Sequence, residues 1–93
     1  MLYIVNKNND VLVDCIERAS NDDVILLVEN AIYSAIEAGS SVVFDKNIPV
    51  YALEPDMKAR GIGRKQSHDF IQYVDYEGFV ELVEKNNPVR SYF

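Results

Sequence analysis

Cys15 is the one thiol of the chain, and a thiol is the side chain suited to carrying sulfur or exchanging disulfides. That chemistry needs an accessible sulfur with thiolate character. Asp14 and Glu17 disfavour the thiolate, and only Arg18 favours it. Val11, Cys15 and Ala19 recur every four residues on an apolar stripe, so the alternative is a small core residue. The residues alone leave both readings open and favour the core. Glu29-Asn30-Ala31 follows the apolar run Val24 to Val28. Open α/β sheets place ligand sites at that edge, and free N–H groups at a helix start hold anions; a plain helix cap is the simpler reading.

Other chemistries lack their residues. Gly61-Ile62-Gly63-Arg64-Lys65 has neither the Lys-Ser/Thr of a phosphate loop nor the third glycine of a dinucleotide fingerprint. It reads as a helix stop and a loop. One histidine and one cysteine make no metal-ligand cluster, and no Gly-x-Ser-x-Gly motif occurs. No cofactor is expected. His68, beside Asp69, reads as a solvated side chain without a catalytic role. Lys58, Arg60, Arg64 and Lys65 are four of the nine basic residues. They form a local positive patch, read as a docking surface for an acidic partner rather than an RNA site.

Two apolar features point to interfaces. Tyr76, Phe79, Val80, Leu82 and Val83 cover more than one side of a helix, wider than one sheet contact requires. The alternatives are a wide core face or a partner contact through Tyr76, Phe79, Val80 and Val83. In the second case Gly78 permits close approach, offsetting a helix cost of roughly 1 kcal/mol against Ala. Tyr92 and Phe93 make an aromatic tail suited to anchoring in a neighbour's groove.

These residues need a frame. Ninety-three residues predict a single domain over 1–93, and 48% hydrophobic content predicts a folded globule. A chain this small gains from assembly with other subunits. The net charge of −6 disfavours direct contact with nucleic acid and with anionic membranes. Met1 to Val5 lacks the basic, long apolar pattern of a leader, and no stretch approaches the roughly 20 apolar residues of a membrane span. The expected location is the cytoplasm, compatible with a lone cysteine.

Strands are predicted at Leu2 to Val5, Val24 to Val28, Ile48 to Leu53 and Phe70 to Val74. Helices are predicted from about Asp10 to Ser20, from Asn30 through about Ala38 with Gly39 as its stop, from Pro55 to Arg60 and from Asp75 to about Lys85. Pro55 opens and Gly61 closes the third helix, and Asp75 caps the fourth. Ser40 to Asn47 reads as a loop or flap, with Val42-Val43-Phe44 apolar within it, and Val89 to Phe93 as a tail. Alternating strand and helix implies an α/β fold: a small parallel sheet of about four strands built from four β-α units, with helices covering it.

In this order, Glu29-Asn30-Ala31-Ile32-Tyr33-Ser34-Ala35, Tyr51-Ala52-Leu53 with Asp56-Met57-Lys58-Ala59-Arg60-Gly61, and Asp75-Tyr76-Glu77-Gly78-Phe79-Val80-Glu81-Leu82 resemble the DsrH/TusB family of sulfur-relay subunits. The likeness spans nearly the whole chain. It departs at Ala31, where the family usually has Gly, which weakens transfer of a binding role to that turn. It departs again at Tyr92 and Phe93, where members commonly end in Trp. The resemblance implies a DsrE/DsrF/DsrH-like fold and membership of a persulfide-transfer complex. Its DsrE/TusD-like and DsrF/TusC-like partners would include the subunit with the principal cysteine, and a DsrC/TusE-like protein would accept the sulfur. DsrH-like members carry a cysteine near the place of Cys15, proposed to hold persulfide; TusB-like members can lack it. The TusB branch serves 2-thiouridine formation at the tRNA wobble position, and the DsrH branch dissimilatory sulfur oxidation. The chain is then an accessory subunit without activity of its own, able to homo-oligomerise when isolated. A non-catalytic docking subunit is the alternative to a sulfur carrier.

Overall fold

The computed structural model describes residues 1–36, 44 and 47–93. Five strands form one sheet: β1 (Leu2–Val5), β2 (Val24–Leu27), β3 (Val50–Leu53), β4 (Ile71–Val74) and β5 (Val89–Tyr92). All pairings are parallel, in the order β4-β3-β2-β1-β5. Among the described residues three α-helices accompany them: α1 (Asp10–Arg18), α2 (Glu54–Ala59) and α3 (Tyr76–Lys85). Two 3-10 helices span Glu29–Ala35 and Arg64–Gln66.

The topology decides how the faces are covered. β1 to β4 advance in one direction across the sheet, and right-handed crossovers that advance one way lie on one face. On that first face Tyr3, Val5, Ile25, Leu27, Val50 and Ala52 pack with Leu12, Cys15 and Ile16 of α1, Ile32 and Met57. The step from β4 to β5 runs back over the whole sheet, so α3 lies on the other face. There Leu2, Ile4, Leu26, Val28 and Leu53 cluster with Leu82, with Phe79 and Val83 half-buried beside them.

Local signals explain the helix ends. Asn9 Oδ1 accepts from Val11 N at 2.9 Å, capping α1. Asp75 Oδ1 accepts from Gly78 N at 2.8 Å, the expected cap of α3. Gly61 takes φ +70° as the stop after α2.

The structure corrects the sequence-based expectations in two places. The sheet has five strands, because Val89 to Phe93 is no free tail: Leu2 pairs with Val89 and Val5 with Tyr92. This strand carries Arg90 and Ser91 on its exposed edge, so it lacks the apolar run of the central strands. The second helix is a 3-10 helix beginning at Glu29, not an α-helix capped by Asn30. Asn30 Oδ1 is taken by Arg60, from Nε at 3.3 Å and Nη2 at 3.2 Å. Ser34 Oγ donates to the Ala31 carbonyl at 2.6 Å, and such side-chain bonds compete with an α-helical ladder. Gly78 brings α3 close to its own strand: a Cβ there would stand 3.0 Å from Val74 Cβ. The expected second-helix end at Ala38–Gly39 and most of the Ser40–Asn47 loop lie outside the described residues.

Candidate functional site

Cys15 points from α1 into the first-face core and is 0% exposed. Burial pushes its thiol up to about 12, and the Asp14 and Asp23 carboxylates add to the effect. At neutral pH the thiolate is then a fraction on the order of 10⁻⁵. The thiol is enclosed by apolar side chains and by the helix that carries it, whereas a sulfur carrier needs an accessible thiol.

The C-terminal ends of the parallel strands gather a polar constellation. Glu29 sits there with φ +49°, a left-handed conformation that costs a side-chain-bearing residue about 1–2 kcal/mol. Its N–H donates to Asp56 Oδ2 at 2.6 Å, so the first turn of α2 clamps the end of β2. Asn6 Nδ2 reaches Glu29 Oε2 at 3.4 Å, from the end of β1. Arg60 ties the same corner through Asn30 and through the Asp56 carbonyl, which accepts from Nη1 at 3.3 Å. Ala31 is fully buried, and its N–H donates to the Val28 carbonyl at 3.0 Å. Asp56 is not among the candidate site residues that the sequence singles out. The signal for its clamp was present, since parallel strands bring the turns after β2 and β3 to one edge.

The expected positive patch is partly consumed within the chain. Arg64 binds both carboxylate oxygens of Glu54, at 2.6 and 3.0 Å, and lies 4.5 Å from the Tyr73 ring centroid. The hydrogen bond from Arg64 holds the Glu54 carboxyl below the usual carboxylate range. Arg60 is engaged as described, leaving Lys58 and Lys65 exposed. His68 is not solvated as expected. Its ring stacks on Phe70 at 5.0 Å and 21°, and its Nε2 is buried without a hydrogen-bond partner among the described residues. Among the described residues no group of three His, Cys, Asp or Glu side chains is placed to hold a metal, and no helix is long and apolar enough to cross a membrane.

The residues expected at a partner interface divide. Phe79 and Val83 are half-buried against the second face. Tyr92 turns inward, its ring meeting Tyr3 edge-on at 5.5 Å and 68°. Tyr76 is 63% exposed, Val80 54% and Phe93 63%. On the other flank of α3 an open groove of about 310 Å³ runs over Val24, Tyr51 and Val74, bordered by Leu82 and Lys85. Tyr76 and Val80 thus give α3 an exposed apolar strip, while Val13, Tyr33, Phe70, Val89 and Phe93 are exposed elsewhere and the thiol is not.

Comparison with known proteins agrees with this architecture. The family model described as DsrH like protein matches residues 7–89. Protein TusB of Serratia proteamaculans is 35% identical over 75 residues, covering 80% of this chain and 78% of its own length. Protein TusB of Escherichia coli O81 is 34% identical over 70 residues, covering 73% of each. The solution NMR structure of protein Tm0979 from Thermotoga maritima superposes with a TM-score of 0.71 at 25% identity, over 91% of this chain and 93% of that one.

Proposed function

The chain belongs to the DsrH family, and on that premise we propose that it is a non-catalytic docking subunit of a cytoplasmic sulfur-relay complex serving 2-thiouridine formation at the tRNA wobble position. The relatives named Protein TusB support this branch. The observation that carries the docking role is the burial of Cys15, with its thiol pushed up to about 12.

In this reading sulfur passes between cysteines of other chains. An acceptor thiolate attacks the outer sulfur of a donor persulfide, the new S–S bond forms as the old one breaks, and the donor leaves as thiolate. The chain supplies no atom to that exchange. It completes an assembly with DsrE/TusD-like and DsrF/TusC-like subunits, one of which bears the reacting cysteine, and helps present the face that a DsrC/TusE-like carrier approaches.

The test is reconstitution of the three subunits with a persulfide donor, followed by intact-protein mass spectrometry. Cys15→Ala should transfer sulfur to the carrier at the wild-type rate, and omission of this chain should stop transfer. A sulfur atom that appears on Cys15 and then passes onward would sink the docking reading. A strain without this chain should lose 2-thiouridine from its tRNA; unchanged 2-thiouridine would remove the tRNA assignment.

A further inference from the structure

We propose that the outer flank of α3 docks a protein partner whose contacting face is apolar at its centre and basic at its rim, an inference that rests on the relay-subunit reading. Tyr76 and Val80 are one turn apart on the same side of the helix, both more than half exposed. Half-buried Phe79 and Val83 join this strip to the second-face cluster. Beside the strip, Glu77, Glu81 and Glu84 are all exposed. Glu77 and Glu81, also one turn apart, repel each other in the free chain.

The charge around the strip specifies the partner. Among the described residues no ion pair engages these three glutamates, whereas Asp14, Asp23 and Glu54 each have a cationic partner. Lys85 is the one cation of α3. A lysine- or arginine-rimmed face would pair the free carboxylates while its apolar centre covers Tyr76 and Val80, the usual anatomy of a specific interface. Nucleic acid and anionic lipid would be repelled. A second copy is a poor occupant. Packing α3 antiparallel on α3 about a two-fold axis would bring the glutamates together, and the chain's own cationic corner spends Arg60 and Arg64 on Asn30 and Glu54, leaving only Lys58 and Lys65 to offer.

The experiment is calorimetric titration of the intact chain with the purified DsrE-type and DsrF-type subunits, across a range of NaCl concentrations. Tyr76→Ser and Val80→Asp should each weaken binding about 10-fold or more. Glu77→Lys combined with Glu84→Lys should weaken it by about 10-fold at low salt, with the difference closing at high salt. Circular dichroism should match wild type, since all four side chains are exposed, and the thermal midpoint should fall by only a few degrees where Glu77→Lys places a cation in the first turn of α3. Wild-type binding that ignores both the apolar and the charge-reversed variants overturns the flank proposal and leaves the relay reading standing. No binding by the wild-type chain overturns the relay reading and takes the flank proposal with it. A salt-insensitive homodimer broken by Val80→Asp would show the flank to be a self-contact and overturn the basic partner.

Discussion

On the first face of the sheet Tyr3, Val5, Ile25, Leu27, Val50 and Ala52 lie beneath α1, the Glu29–Ala35 segment and α2; on the second, Leu2, Ile4, Leu26 and Val28 share the single helix α3. Both sets come from the same strands, at alternate positions. The difference is thus not one of strand composition. It follows from the direction in which the connections travel, three one way and one back. The lesson is that a thiol and an interface can be sorted by topology: Cys15 rides on the crowded face and is sealed, and Val80 rides on the sparse face and stays open.

Four measurements would break or sharpen this contrast. The largest effect concerns Cys15. With its thiol raised from an ordinary 9.0 to about 12, alkylation of the native chain should run roughly 10³-fold slower than in urea; equal rates would place the sulfur outside the core. Next, Leu12→Ala should cost about 3–5 kcal/mol in urea denaturation, since Leu12 is 0% exposed, and Leu82→Ala nearer 2 kcal/mol, since Leu82 projects from α3 onto the more thinly covered face and remains 9% exposed. Equal losses would erase the asymmetry. Smaller again is Gly78→Ala, which elsewhere in a helix gains about 1 kcal/mol. Here the new methyl would meet Val74, so the gain should vanish and reappear when Val74→Ala is added. A full gain in the single variant would mean that α3 rides loosely on its face.

The smallest effect is the pH dependence of the Glu54–Arg64 pair beside Tyr73. Arg64 lowers the Glu54 pKa in the folded chain. The contribution is therefore present above the unfolded carboxylate value and is lost as pH falls through the folded one. Because the pair is solvent-exposed, the acid limb of the unfolding curve should shift only slightly in Glu54→Gln. A shift as large as that of a core substitution would refute the surface assignment.

Much of this frame can be read from the residues. The continuous apolar runs Leu2–Val5 and Val24–Leu27 announce buried parallel strands, Asp75 announces the cap of α3, and Gly61 the left-handed stop. The family resemblance likewise agrees with the matching model over 7–89. What stayed hidden depends on contacts between distant positions. β5 is defined by its partner β1 rather than by its own Arg90 and Ser91. Asn30 reads as a cap until Arg60, far along the chain, claims its oxygen. At the candidate site, the helical spacing that placed Cys15 on an apolar stripe already contained its burial, whereas nothing local could tell that Tyr92 faces inward and Phe93 outward.

The pairing of β1 with β5 also governs how the chain is made. Synthesis is vectorial, at about 5–20 residues per second, and β1 emerges from the ribosome well before its outer neighbour, with the other three strands and all three α-helices coming between them. Throughout elongation the outer edge of Leu2 to Val5 waits with unsatisfied backbone groups, a template for any extended segment nearby. The nascent chain is most vulnerable to misassociation in that interval, which closes only when Val89 to Tyr92 arrives.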